Sequence, residues 1–201
     1  MIGYVTRVLR HLLYERSYGR YYSAATWEQR WARGYGEVEG SEEERYDALL
    51  ALMCRHGGAG PILDAGCGDG VLEQRFRTVS GLRVVGIDYS REAVARAQAR
   101  RIPECTFASA DYREFTPTER FPAIVLNEAL YYADDPLGVL RSLARWLAAD
   151  GVFVVSMFDT LVTRRIWKAL ESTHETLDDV KVRRRTTGRR WRIRVLRPTR
   201  P

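Results

Sequence analysis

Apolar and polar residues follow two alternating patterns through the middle of the chain. Short runs that are almost wholly apolar are typical of strands buried on both faces of a parallel sheet, and they cover residues 62–65, 84–87, 123–126 and 152–155. Between these runs, apolar residues recur every three or four positions, which predicts amphipathic helices over residues 71–79, 91–101 and 136–148. The alternation of strand and helix predicts an α/β domain with a mostly parallel sheet.

The C-terminal end of the chain follows a third pattern, in which apolar and basic residues alternate one by one. In a strand, Trp191, Ile193 and Val195 would share one face, and Arg190, Arg192 and Arg194 would share the other. A period of two predicts a strand with one buried face. Val180 and Val182 lie upstream of a turn at Thr187-Gly188, so we predict an antiparallel hairpin. Its arginines should face water or an acidic partner surface.

The N-terminal segment differs from the rest of the chain. Apolar residues with helical spacing, separated by arginines, occupy residues 1–20, and an aromatic-rich stretch follows over residues 21–31. We predict that residues 1–45 form a helical lid segment and that residues 46–201 form the main domain. Because the first helix is basic and amphipathic, a position on a membrane surface is the alternative to packing on the domain.

Composition narrows the class of protein without identifying it. Of the 201 residues, 45% are hydrophobic and 29% are charged, which is typical of one globular soluble domain. The three cysteines form no C-x-x-C pair, so we predict reduced thiols in a cytoplasmic protein. No apolar run approaches the ~20 residues of a membrane span, and the start of the chain does not resemble a secretory signal. We therefore predict no membrane association.

The most specific feature is a glycine-rich loop between the first predicted strand and the helix that follows it. An acid ends the strand, and three glycines come after it in the stretch Asp64-Ala65-Gly66-Cys67-Gly68-Asp69-Gly70. Glycines let backbone N–H groups approach a ligand closely. The spacing differs from the G-x-G-x-x-G fingerprint of dinucleotide sites, and Asp64 would repel a pyrophosphate. A ligand with an ammonium and a sulfonium group and no phosphate suits this loop better.

Polar residues also close the later strands. Asp88 ends the second strand, where nucleotide-binding βαβ units place the acceptor for ribose hydroxyls. Asp111 follows the third strand and Asn127 ends the fourth. Open α/β sheets bind ligands at the edge formed by the carboxyl ends of their strands, so these side chains are predicted to share one site.

Taken in order, the glycine-rich loop and these strand ends resemble the motifs of class I S-adenosylmethionine-dependent methyltransferases over roughly residues 60–158. The resemblance implies a Rossmann-like fold with a mostly parallel seven-stranded sheet and a C-terminal antiparallel hairpin. It also implies S-adenosylmethionine as cofactor, with Asp64 near its amino-acid end, Asp88 on the ribose and Asp111 at the adenine. The implied cofactor-binding residues are Asp64, Gly66, Cys67, Gly68, Gly70, Asp88, Tyr89, Asp111, Tyr112 and Asn127.

The segment after the fourth strand is the best place to look for catalytic groups. Its sequence, Asn127-Glu128-Ala129-Leu130-Tyr131-Tyr132, is similar to a motif of rhizobial nodulation methyltransferases, which act on an amino sugar. The similarity implies a small-molecule acceptor, such as a saccharide or another polar metabolite with a hydroxyl or amine. Glu128 or Tyr132 could orient or deprotonate this acceptor, and His174, after the fifth strand, is a third candidate base.

Two other classes of function are compatible with the same cofactor motifs. Residues 181–201 hold ten Lys and Arg and no acid, so RNA phosphates could bind there, although residues 1–180 carry 22 basic and 26 acidic residues. Because the acidic remainder of the chain offers no basic groove next to this segment, we predict no nucleic-acid partner. A non-enzymatic cofactor-binding scaffold is the other alternative. Homo-oligomers are possible, and no metal site is predicted, although Asp134, Asp135 and Asp159 could imitate one.

Overall fold

The structure is a computed structural model, and it describes residues 23–35, 42–76, 79 and 81–199. Its centre is one seven-stranded sheet with the order β3-β2-β1-β4-β5-β7-β6. The strands are β1 Ile62–Ala65, β2 Val84–Asp88, β3 Cys105–Ser109, β4 Phe121–Asn127, β5 Leu147–Phe158, β6 His174–Arg183 and β7 Arg190–Pro198. Strands β1 to β5 are parallel, and the hairpin β6–β7 is antiparallel, as predicted.

The described residues form six α-helices and one 3₁₀ turn in addition to the sheet. They are α1 Ala24–Ala32, α2 Glu43–His56, α3 Val71–Phe76, α4 Arg91–Ala99, the 3₁₀ turn Leu130–Tyr132, α5 Pro136–Ala144 and α6 Leu161–Leu170. Local sequence explains several of their ends. Ser90 caps α4 by accepting the N–H of Ala93 at 3.1 Å, and Pro136 begins α5, where its fixed φ suits the first turn.

The central strands are apolar on both faces because helices cover the sheet on both sides. The side chains of β1 and those of residues 123–126 in β4 are buried along their whole length. The parallel order brings the carboxyl ends of β1, β2, β4 and β5 to one edge of the sheet, with Asn127 of β4 opposite Ser156 of β5. We call this edge the carboxyl edge.

The C-terminal hairpin has the predicted strands, but one of its arginines is not on the surface. Trp191, Ile193 and Val195 are buried as expected. Arg194 is also buried, at 4% exposure, and its guanidinium pairs with Asp179 and Glu171 at 3.0 Å each. The prediction of an outward Arg194 was wrong, because acids of the same chain neutralise it where α6 and β6 meet.

Candidate functional site

A cleft opens at the carboxyl edge between the ends of the central strands and helix α1. Its lining comes from α1 and the turn after it, from one residue of α2, from the glycine-rich loop and the first turn of α3, and from the residues that end or follow β2, β3 and β4. These residues are Trp27, Trp31, Tyr35, Tyr46, Gly66, Cys67, Gly68, Asp69, Val71, Leu72, Asp88, Tyr89, Tyr112, Asn127, Glu128, Ala129 and Tyr132. Most of the residues predicted to bind a cofactor therefore meet in one place.

The glycine-rich loop requires glycine for two physical reasons. Gly66, Gly68 and Gly70 have φ values of 97°, 57° and 78°, a left-handed region that other residues adopt only with strain. A Cβ on Gly66 would lie 2.7 Å from the Cβ of Ala129, and one on Gly68 would lie 3.0 Å from Trp31. The loop thus keeps a cradle of bare backbone beside the cleft.

Asp88 lies at the end of β2 and faces the cleft. Its carboxylate accepts the backbone N–H of Gly68 at 3.0 Å and that of Ser90 at 2.9 Å. Burial raises the pKa of Asp88, and these two backbone hydrogen bonds oppose the rise. The two bonds hold the carboxylate between the glycine loop and the start of α4, where it can accept hydrogen bonds from a ligand diol.

Asp111 does not line the cleft, but it accepts a hydrogen bond from a tyrosine that does. Tyr89 and Tyr112 line the cleft with their rings 5.3 Å apart, and the Tyr89 hydroxyl donates to Asp111 at 2.8 Å. Arg113 also binds the Asp111 carboxylate through two guanidinium nitrogens. Burial acts to raise the pKa of Asp111, but the hydrogen bonds from Arg113 and Tyr89 outweigh it and leave this pKa below its usual value. Asp111 thus supports the tyrosine wall in this structure.

Asp64 does not reach the cleft. It lies in β1 at 1% exposure, close enough to the buried Glu73 of α3 for the two carboxyls to affect each other's pKa. Burial raises the pKa of Asp64 to about 7, and burial also raises that of Glu73. The predicted position of Asp64 beside a ligand's amino-acid end is therefore not seen, because the carboxyl is buried away from the cleft.

The Asp64–Glu73 pair makes a prediction about stability. The folded state holds a proton that the unfolded chain releases near pH 4, so the free energy of unfolding should fall as pH rises toward about 7. Glu73→Gln should remove the part of this dependence that Glu73 contributes, while burial still raises the pKa of Asp64. It should stabilise the protein at pH 8 by ~1 kcal/mol or more, with a smaller gain at pH 5. Urea unfolding at both pH values measures the difference, and equal effects at the two pH values would contradict a raised pKa of Glu73 in the folded protein.

Asn127, at the end of β4, is held by a residue that sequence patterns did not single out. Arg45 of α2 is buried at 1% exposure, and its guanidinium donates to the side-chain oxygen of Asn127 and to Glu42. The available sequence signal was the position of Arg45 four residues before Leu49, on the apolar face of α2, since arginine is rarely buried without a partner. Asn127 therefore enters the cleft wall with its amide orientation fixed.

Glu128 follows directly and has an unusual backbone. Its φ is 56°, which a non-glycine residue adopts only at a cost of about 1–3 kcal/mol. The Tyr131 hydroxyl donates to its carboxylate at 2.9 Å, and the Ser156 hydroxyl does so at 3.1 Å. Burial raises the pKa of Glu128 to about 7, and the Arg45 charge opposes the rise. A carboxyl with this pKa in a cleft can take up a proton near neutral pH.

Aromatic side chains form the wall opposite the glycine-rich loop. Trp27 of α1 packs edge-on against Tyr132 with ring centroids 4.8 Å apart, and against Tyr35 at 5.3 Å. Helix α1 is tied to the domain by Glu28, whose carboxylate accepts from the Ser90 hydroxyl at 2.6 Å. The predicted lid residues Tyr21 and Tyr22 lie outside the described residues.

His174 is not part of the site, which corrects the prediction that it could be a base. It begins β6 and pairs with Pro198, whereas the other end of the hairpin, at Trp191, lies beside Phe158 at the carboxyl edge. His174 therefore lies at the opposite end of the sheet. It is buried at 7% exposure against the ring of Phe153, and burial lowers its pKa.

The acids considered for a metal have local partners. Asp135 caps α5 by accepting the N–H of Gly138 at 2.8 Å, and Asp159 pairs with Arg164 at 2.8 Å. Within the described ranges, no group of three or more His, Cys, Asp or Glu side chains is arranged to hold a metal ion. Within the same ranges, the helices are too short or too polar to cross a membrane.

Comparison with known proteins agrees with this geometry. Residues 39–199 match a family model described as a methyltransferase domain. Trans-aconitate 2-methyltransferase of Yersinia pseudotuberculosis is 38% identical over 104 residues, which is 50% of this chain and 39% of that enzyme. The chain thus spans about two fifths of the length of the curated relative it matches.

Two solved structures share the fold. The N-methyltransferase NodS of Bradyrhizobium japonicum, in complex with S-adenosylhomocysteine, gives a TM-score of 0.70 at 21% identity over 86% of this chain and 98% of that one. The 1,6-didemethyltoxoflavin-N1-methyltransferase of Burkholderia thailandensis gives 0.70 at 20% identity, over 88% and 87%.

The site also fits S-adenosylmethionine on its own features. The glycine-rich loop has no room for side chains at Gly66 and Gly68, the Asp88 carboxylate lines the cleft, and the aromatic rings of Tyr89 and Tyr112 line it nearby. The predicted family, fold and cofactor are all confirmed. The chain belongs to the class I S-adenosylmethionine-dependent methyltransferases.

Proposed function

We propose that this methyltransferase acts on a hydroxyl or amine of a small polar acceptor with a saccharide-like ring. The observation that carries the proposal is Glu128, a half-buried carboxyl in the cleft whose pKa of about 7 suits a general base. Bound S-adenosylmethionine supplies the methyl group from its sulfonium. A hydroxyl or ammonium acceptor has a proton to lose, and Glu128 is positioned to receive it.

The residues around Glu128 support this role. Tyr131 and Ser156 donate to its two carboxylate oxygens, so the side chain is oriented before an acceptor arrives. Tyr132 lines the same part of the cleft and can orient the acceptor through its hydroxyl. Fixed donors and acceptors of this kind contribute to catalysis chiefly by holding the reacting groups in line.

The pH dependence of turnover tests the assignment of Glu128. Because a general base must be ionised before it can accept a proton, kcat should rise with pH and level off above about 7. Initial rates of methyl transfer between pH 5 and 9, at saturating S-adenosylmethionine, would show whether kcat rises in this way. A flat profile over this range would remove Glu128 from the mechanism.

Helix α1 and the residues before it are proposed to act as the lid of the acceptor site, within a lid segment of residues 1–45. Trp27 lines the cleft and packs edge-on against Tyr132, and aromatic rings are suitable partners for a sugar's apolar face. Rings also lose little rotamer freedom when they order over a ligand, so an aromatic lid closes at low entropic cost.

Replacing Trp27 should affect the acceptor more than the cofactor. We expect Trp27→Ala to raise the KM of the acceptor about 5- to 20-fold, through loss of the stacking surface, with little change in S-adenosylhomocysteine affinity. Trp146→Ala is the matched control, because Trp146 is half-buried beyond the far end of α5 and does not line the cleft. Equal KM effects in the two variants would argue against the lid.

A carboxylate acceptor is the second candidate, and sequence identity favours it. The relatives that share 38% identity with half of this chain are named for trans-aconitate, a carboxylate. An ionised carboxylate needs no base, so this candidate predicts that Glu128→Gln leaves turnover intact. The RNA alternative has less support, because Arg192 and Arg194 of the hairpin are paired with Asp179 in the folded chain.

A further inference from the structure

A buried ion network joins the cleft to the C-terminal hairpin. Arg45 donates to the side-chain oxygen of Asn127 with one guanidinium nitrogen and to Glu42 with the other. The other carboxylate oxygen of Glu42 accepts from Arg189, in the turn between β6 and β7, at 3.2 Å. The network, defined as Arg189, Glu42, Arg45 and Asn127, ends one residue before Glu128.

The surroundings of Arg45 hold its charge in one place. The guanidinium lies 4.7 Å from the ring centroid of Tyr46 and 5.6 Å from that of Trp191, both of which are buried. Removing a guanidinium from water is costly unless it is paired, and a hydrophobic residue would often serve packing equally well. An arginine kept in this position beside a cleft therefore calls for an explanation beyond packing.

We propose that Arg45 is a positioning residue for proton transfer at Glu128. Through Asn127 it fixes the end of β4, where the left-handed backbone turns Glu128 into the cleft. Through its charge, balanced by Glu42, it sets how readily Glu128 gives up its proton before an acceptor binds. The inference rests on the proposed function of Glu128 as the base.

The groups that face Glu128 give the direction of each effect. Burial raises the pKa of Glu128, the Arg45 charge lowers it, and the Glu42 charge raises it; hydrogen bonds from Tyr131 and Ser156 lower it. Arg45 also lowers the pKa of the buried Asp64. Arg45 and Glu42 therefore act on the pKa of Glu128 with opposite signs from the same end of α2, so removing either one should shift it in a known direction.

Carbon-13 NMR of the full chain labelled at glutamate carboxyl carbons tests the inference without an acceptor. Loss of one signal in Glu128→Gln assigns the Glu128 resonance, and its titration is then followed in each variant. We expect the midpoint to move up by ~1 pH unit or more in Arg45→Met and to move down in Glu42→Gln. Arg45→Lys keeps the charge and should restore most of the wild-type midpoint.

The controls separate this inference from the proposed function. If Arg45→Met does not fold, as judged by thermal unfolding, the downward shift in Glu42→Gln still decides the question. Unchanged midpoints in the folded variants, together with an inactive Glu128→Gln enzyme, would overturn the role of Arg45 alone. A fully active Glu128→Gln enzyme would overturn the base assignment, and with it the positioning role.

Discussion

Glu128→Gln should lower kcat by roughly 10²–10³-fold while S-adenosylhomocysteine affinity stays within about twofold of wild type. Glutamine keeps the size of the side chain and can still bind the Tyr131 and Ser156 hydroxyls, so the cleft should keep its shape. It cannot accept a proton at neutral pH, and the rise of kcat with pH through about 7 should disappear with the carboxyl.

Single-turnover rates at saturating cofactor measure the effect of Glu128→Gln on the chemical step, and calorimetry measures cofactor binding. Glu175→Gln is the matched control, because Glu175 is exposed on β6 and pairs with Arg197 far from the cleft. An effect of similar size in both variants would mean that the loss is not specific to the site. Full activity of Glu128→Gln would favour the carboxylate acceptor over the hydroxyl or amine.

Asp88→Asn should weaken S-adenosylmethionine binding by about 1.5–3 kcal/mol, which is roughly 10- to 150-fold in Kd. The two oxygens of Asp88 accept separately from Gly68 and Ser90, so asparagine keeps an acceptor for only one of these N–H groups. It also removes the charge that strengthens hydrogen bonds to ligand hydroxyls. Titration calorimetry with S-adenosylhomocysteine provides the measurement.

Asp178→Asn is the control for Asp88→Asn. Asp178 lies on β6, outside the cleft, and pairs with Arg55 of α2. Its Kd should equal that of the wild type. If Asp88→Asn binds the cofactor with unchanged affinity while circular dichroism shows a folded protein, the ribose hydroxyls are held elsewhere.

The fold could be predicted from sequence where local pattern and tertiary environment agree. The β1 bounds were predicted without error, because a strand buried on both faces is mostly apolar, with Asp64 the one exception in β1. Helix α5 ends at Ala144, before the predicted 148, because the apolar Leu147 that continued the helical pattern belongs to β5. Helix ends depend on where the next strand pairs, and periodicity alone does not contain that information.

The site was predicted only in part, for a different reason. Motifs locate residues that follow strand ends, such as Asp88 and Glu128, since the sheet brings those ends together. Arg45 reaches the cleft from a helix that precedes β1, so no spacing along the chain reveals its contact with Asn127. His174 was misplaced because helix α6 carries the chain back to the opposite end of the sheet before β6 begins.

The most direct test of the account follows carbon-13 from the methyl group of labelled S-adenosylmethionine into product. Purified protein would be incubated with chitin-derived amino sugars, neutral sugars and trans-aconitate, and NMR would locate the labelled atom. The account predicts an N-methyl or O-methyl ether signal on a sugar, dependent on Glu128. A label found only as a methyl ester of trans-aconitate, formed equally well by Glu128→Gln, would contradict it.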